Sequence, residues 1–205
     1  MTQQTAGDAT LHARLDALVA SGWAIWERFD RTVREPGFHP FVPADYETMR
    51  TTLLQLRAPG RRFLEWGSAT GIITIMADLM GFEAYGIELD ASLVETARAV
   101  AAQHGSRARF AAGSLFPTGY RWRSRDGDTR TGTIGQGPSG YLQLGRPLED
   151  FDVVFAYPWD GEAPVMHDVM QRYGRHDALL LLYDASGGVR AYRGSHEVVG
   201  DAPTP

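Results

Sequence analysis

The chain contains no cysteine, which excludes disulfides, zinc–thiolate sites and a thiol nucleophile together. No apolar run approaches the roughly 20 residues of a membrane-spanning helix. The polar opening from Met1 to Thr10 lacks the charged and apolar regions of a signal peptide. A dominant excess of either charge sign is also missing, with 20 basic and 25 acidic residues. At a formal net charge of -5, no global field draws the protein onto nucleic acid or an anionic membrane. Six histidines, His12, His39, His104, His167, His176 and His196, show no H-x-x-x-H spacing and no nearby carboxylate cluster. Each reads as a surface or capping residue, and no metal site is expected. There is no internal repeat. With 205 residues, the chain is long enough to bury one sizeable core, and a cytoplasmic protein is expected.

What is present is concentrated between Phe63 and Asp90. Phe63 and Leu64 end an apolar strand, and Glu65 to Gly71 form a small-residue turn. Ile72 to Met80 carry apolar side chains at helical spacing, and Tyr85 to Ile87 make a second strand that ends on Glu88. Glycines let the backbone approach a ligand where a Cβ would clash. The helix that follows presents free N–H groups and a positive dipole end to an anionic group. An acid after the next strand, about twenty residues on, is placed to accept hydrogen bonds from ribose hydroxyls. A unit of this kind binds a nucleoside-containing cofactor.

The glycine register separates two cofactor classes. A G-x-G-x-x-G dinucleotide pattern counted from Gly67 needs glycine at 69 and 72, where this chain has Ala69 and Ile72. An NAD-dependent oxidoreductase is therefore disfavoured. The pattern Glu65-x-Gly67-x-Ala69-x-Gly71 instead resembles the first motif of class I S-adenosylmethionine-dependent methyltransferases, with Ala69 where the family commonly has a middle glycine. The resemblance implies S-adenosylmethionine as cofactor, with Glu65, Gly67, Ser68, Ala69 and Gly71 around it. It also implies Glu88 on the ribose hydroxyls and Leu89 stacked on the adenine. Phe110 to Phe116 resembles the family's adenine-bordering segment. There Gly113 and Ser114 stand near the adenine amino group, with Ser114 in the place of a common Asp.

Along the rest of the chain, apolar residues from about 9 to 34 recur at spacings of three to four, with a break expected at Ser21-Gly22. Glu35-Pro36-Gly37 ends this helix. Phe38 to Pro43 is an aromatic, extended connector, because residues before proline avoid the helical region. A second helix spans about 45–57. Strands are expected near 61–66, 83–88, 107–112, 151–157 and 177–183, and helices near 70–81, 91–104 and 162–174. Alternating β and α elements imply an α/β fold, doubly wound, with a mostly parallel sheet and helices on both faces. The organisation expected is an N-terminal helical cap over 1–60, a cofactor-binding domain over 61–200 and a tail over 201–205. The C-terminal end is shortened relative to the family. A sheet edge would then need covering by an N-terminal helix or a second subunit, so a homodimer is a possible partner arrangement.

Residues 117–150 form a long insert rich in Gly, Arg, Asp, Thr and Ser, of the kind that is either disordered or a functional lid. Tyr120 to Arg130 could alternatively make a hairpin turning at Asp126-Gly127. Its arginines could face an anionic ligand, although the adjacent aspartates make a solvated loop the simpler reading.

The fourth strand runs into Tyr157-Pro158-Trp159-Asp160. In the class I family this strand end faces the transferring methyl group, which makes Tyr157, Trp159 and Asp160 the candidate catalytic residues. Enzymes that methylate exocyclic amines of nucleobases carry Asn, Asp or Ser, then Pro-Pro and an aromatic. Here Ala156 and Tyr157 stand in the first two places, which argues against nucleic acid as the acceptor. Glu162 opens the next helix, where its charge suits the dipole; a general-base role is the lesser reading. The expected activity is S-adenosylmethionine-dependent methyl transfer to a small molecule first and a protein side chain second. The alternative is a protein that binds S-adenosylmethionine without transferring its methyl group.

Overall fold

Strict alternation along the inner strands assigns their side chains to two faces of one sheet. In the computed structural model, which describes residues 2–37, 39–122 and 132–198, strand β1 (Arg62–Trp66) turns Phe63 to one core and Leu64 and Trp66 to another. Strand β4 (Val153–Ala156) repeats the division, with Val153 and Phe155 on one side and Val154 and Ala156 on the other. Strands β2 (Glu83–Glu88), β3 (Arg109–Ala112) and β5 (Leu179–Asp184) complete the parallel part. Each fully buried Phe or Leu contributes about 1.5–3 kcal/mol, and burial on both faces is what a parallel sheet requires.

Among the described residues the sheet has seven strands in the order β3-β2-β1-β4-β5-β6-β7, the last two being β6 (Gly188–Arg193) and β7 (His196–Glu197). The order reverses direction at the β1–β4 pair, which opens a crevice at the carboxyl ends of these strands. β6 returns antiparallel on β5 through a tight turn, and the edge strand has two residues.

Helix α1 (Thr2–Phe29) continues through a π-turn (Asp30–Arg34) into a last turn, α2 (Glu35–Gly37). Leu15 and Leu18 are fully buried and share the first core with α3 (Tyr46–Leu56) and α4 (Ile72–Leu79). The break expected at Ser21-Gly22 is absent. A Cβ on Gly22 would lie 3.0 Å from the Tyr46 ring and 3.1 Å from Ile72. This glycine lets α1 pass close to its neighbours, and packing overrides its weak helix propensity. Helix α5 (Ala91–Gln103) is capped by Asp90, whose carboxylate accepts the Ser92 N–H at 2.7 Å. Helix α7 (Ala163–Tyr173) covers the second core.

The insert departs from the sequence reading. Residues 123–131, including the Asp126-Gly127 turn of the expected hairpin, lie outside the described residues. From Gly132 onward the chain is part of the molecule's second core. It forms the short helix α6 (Gly140–Leu144) and a 3-10 turn (Leu148–Asp150). Ile134, Tyr141 and Leu148 are buried, and the Trp66 indole N–H donates to the Tyr141 hydroxyl at 2.8 Å. This half is neither structureless nor detached. No helix among the described residues is long and apolar enough to cross a membrane.

Candidate functional site

The turn after β1 is built on positive φ angles. Gly67 (φ 72°) and Gly71 (φ 77°) adopt them without strain. Ala69 (φ 44°) is the one non-glycine among the described residues to do so, at a cost on the order of 1 kcal/mol. Its N–H donates to the Glu88 carboxylate at 2.9 Å. The other Glu88 oxygen accepts the Asp90 N–H, also at 2.9 Å. Burial pushes the Glu88 carboxyl above its ordinary range, and the N–H donors of Asp90, Ala69 and Leu89 pull it partly back. Glu65, at the end of β1, accepts the Thr74 N–H at 2.9 Å in the first turn of α4 and also binds the Thr74 hydroxyl. Burial dominates there and raises its carboxyl to about 8.

A cavity of about 280 Å³ opens at this crevice. It is lined by Gly67, Glu88 and Leu93 and by the ledge from Tyr157 to Asp160. His39 to Val42 also line it, as do Gly132 and Thr133, which lie directly against the ledge. A smaller neighbouring space shares Phe41, Val42, Gly67 and Tyr157 and reaches Glu65, Ser68 and Ala69. A third hollow lies across the ledge, lined by Tyr157 to Asp160 together with Tyr183, Arg190 and Tyr192. Val42 and Trp159, both about half exposed, rim the mouth as apolar side chains. Burial, with Tyr183 and Asp184 nearby, raises the Tyr157 phenol above its ordinary value.

The structure thus brings Glu65, Gly67, Ser68, Ala69, Glu88, Tyr157, Trp159 and Asp160 to one pair of joined spaces. The other four do not line these two spaces. Gly71 caps α4 and abuts Phe110 and Ala97, each within 2.8 Å of where its Cβ would stand. Leu89 packs on Gly135, whose Cβ would come 2.5 Å from it. Gly113 and Ser114 lie beneath the insert. The Ser114 hydroxyl donates to the Gly135 carbonyl at 2.7 Å, and its N–H donates to the Pro138 carbonyl at 2.8 Å. Ser114 is 1% exposed, so its polar groups are spent on the chain itself. The reason is long-range packing: the segment from Gly132 to Ser139 runs over the ends of β1, β2 and β3.

Sequence reasoning missed His39, Thr133 and the disposition of Glu162. The aromatic connector signalled an unusual segment but not its place. Its Phe41 docks on Trp26 and Phe29, with ring centroids 5.2 and 5.4 Å apart. The Phe41 N–H donates to His39 Nδ1 at 3.1 Å, which leaves the proton on Nε2 to donate to Asp90 at 3.2 Å. This tautomer pins the connector beside Glu88. Thr133 carried no signal; its methyl lies 2.7 Å from where a Gly67 Cβ would stand.

The fold is that of the class I S-adenosylmethionine-dependent methyltransferases. An RNA methyltransferase from Salinibacter ruber, solved in complex with S-adenosyl-L-homocysteine, superposes with a TM-score of 0.54 at 17% identity, over 80% of this chain and 100% of that one. A precorrin-6y C5,15-methyltransferase from Geobacter metallireducens overlaps less well, with a TM-score of 0.47 at 16% identity over 68% of this chain and 62% of that chain. In sequence, 102 residues are 34% identical to the ribosomal protein L11 methyltransferase of Thermus thermophilus, or 48% of this chain and 40% of that protein. The chain therefore spans less than half the length of this curated relative. No family model matches it.

Proposed function

We propose that the protein is an S-adenosylmethionine-dependent methyltransferase whose acceptor is a small molecule. One observation carries the reading: Gly67 and Glu88 face the same cavity as the Tyr157–Asp160 ledge. The cofactor would lie along Glu65 to Ala69, its ribose on Glu88. Burial raises both Glu65 and Glu88. Such carboxylates gain most from a ligand that brings hydroxyl donors or positive charge, and S-adenosylmethionine brings both. The methyltransferase names of the Thermus and Salinibacter relatives support the same class.

Methyl transfer is an in-line displacement from a sulfonium that is already activated. Holding nucleophile, methyl carbon and sulfur in line is worth several kcal/mol, up to about 10. The ledge is suited to this: Pro158 fixes its backbone, and Trp159 offers a ring face to the sulfonium or to the acceptor, worth on the order of 1 kcal/mol. The His39 ring has both nitrogens engaged, and no base is needed for a good nucleophile.

The test is thermal-shift binding with S-adenosylmethionine, S-adenosylhomocysteine and NAD, followed by tritium-methyl transfer to fractionated cell extract. Either adenosyl compound at 100 times its dissociation constant should stabilise by about 2.7 kcal/mol. A shift with NAD alone would overturn the reading. Binding without transfer to any fraction would make the protein a non-catalytic binder.

A further inference from the structure

The Glu162 carboxylate sits behind the cavity, where two of its walls meet. One oxygen accepts the Ile134 N–H and the other accepts the Trp159 N–H, each at 2.9 Å. Thr133 adds a third tie between the same walls, its hydroxyl donating to the Tyr157 carbonyl at 2.8 Å. Gly132 presses against the carboxylate so closely that a Cβ there would collide with Glu162 Oε1. An acid at the start of α7 would ordinarily cap its own helix. This one makes no side-chain cap to α7, and its two acceptor oxygens are spent on the strap at 132–134 and on the ledge.

We propose that Glu162 is a positioning residue of the active site, locking the strap at Thr133 to the ledge at Trp159 where both line the cavity in which the acceptor would meet the methyl donor. The inference rests on the methyltransferase reading. The chemistry requires a carboxylate, because two N–H donors converge and need two acceptor oxygens. Glutamine offers one acceptor and turns an NH₂ toward the second donor, so Glu162→Gln keeps the size and breaks one tie. Glu162 does not line the cavity, so losing the tie should leave cofactor affinity in place while alignment is lost.

Three readouts on the wild type and Glu162→Gln test this: amide hydrogen exchange at Ile134 and Trp159, calorimetric affinity for S-adenosylhomocysteine, and tritium-methyl transfer to the acceptor fraction. Exchange should quicken about tenfold at one or both amides. The dissociation constant should stay within about 3-fold, and kcat should fall about 10²-fold, as expected of a misalignment near 1 Å. Gly132→Ala, which displaces the carboxylate from the other side, should reproduce the quickened exchange and the fall in kcat, and serves if Glu162→Gln does not fold. Unchanged exchange at both amides overturns the proposal, as does normal kcat with exchange quickened. Lost cofactor affinity overturns it too, by placing Glu162 in the binding site instead. Failure of the wild type to bind S-adenosylhomocysteine would remove the methyltransferase reading, whereas the other failures remove only this one.

Discussion

Glu88 accepts the N–H of Ala69 at 2.9 Å, so the acid at the end of β2 holds the one described non-glycine residue with positive φ. The backbone has the conformation a glycine would take freely, and a hydrogen bond keeps an alanine there. Ala69→Gly should therefore cost little or stabilise, since relief of about 1–2 kcal/mol of strain offsets the extra freedom of the unfolded chain. Ala69→Val should destabilise, because a β-branched residue fits that region worst. Urea denaturation of both variants checks the ordering; a glycine variant weaker than the valine one would contradict it.

The same carboxylate has two duties in this reading, so its loss should show in two measurements. Glu88→Ala removes charge-assisted hydrogen bonds worth about 1.5–3 kcal/mol. It should weaken S-adenosylhomocysteine binding by roughly ten- to a hundredfold, and it should also lower thermal stability, because the Ala69 and Asp90 N–H groups lose their acceptor. Calorimetry and melting curves separate the two effects. A folded variant of unchanged affinity would place the cofactor elsewhere.

Stability should fall as pH rises through the neutral range, on account of Glu65. Its carboxyl is raised to about 8 in the folded chain, against 4.5 ordinarily. Between those values the native state keeps a proton that the unfolded state has released. That contribution is fully present below about 4.5 and is lost as pH climbs through about 8. Glu88 and Glu162, also raised by burial, act in the same direction and are unchanged in Glu65→Gln. The difference between wild type and Glu65→Gln isolates the one group: the wild type should lose up to about 1.4 kcal/mol more per pH unit across the window. Parallel urea midpoints from pH 5 to 9 would contradict this.

Cofactor binding and turnover should separate at the ledge. Tyr157 and Trp159 follow β4 and line the same cavity as Glu88. Tyr157→Phe and Trp159→Ala should keep S-adenosylhomocysteine affinity within a few-fold while lowering methyl transfer by about 10²-fold if alignment is lost. Normal transfer in both would reduce the ledge to packing, and loss of binding in both would misplace this strand end in the site.

The insert should behave as part of the core. Tyr141→Phe leaves the buried Trp66 indole N–H without its acceptor and should cost about 1–3 kcal/mol. Denaturation measures it directly; a neutral result would mean the indole finds another partner.

The strands, most helix positions and the turn–acid unit from Glu65 to Glu88 were legible in the residues alone. These rest on signals that are local in the chain: alternation of apolar residues, glycines where φ must be positive, and an acid closing the next strand. Tertiary structure decided what covers the site. His39 meets Asp90 across 51 residues and Ile134 meets Glu162 across 28, and no periodicity encodes such pairs. It also laid the segment 132–139 on Leu89, Gly113 and Ser114 and set α5 and β3 around Gly71, so that none of the four lines the two joined spaces. It kept α1 unbroken at Gly22, where the absent side chain makes room for Tyr46 and Ile72. A local pattern states which conformations a segment favours; which surfaces those segments press together is settled by the area they bury and the polar groups they satisfy in one another.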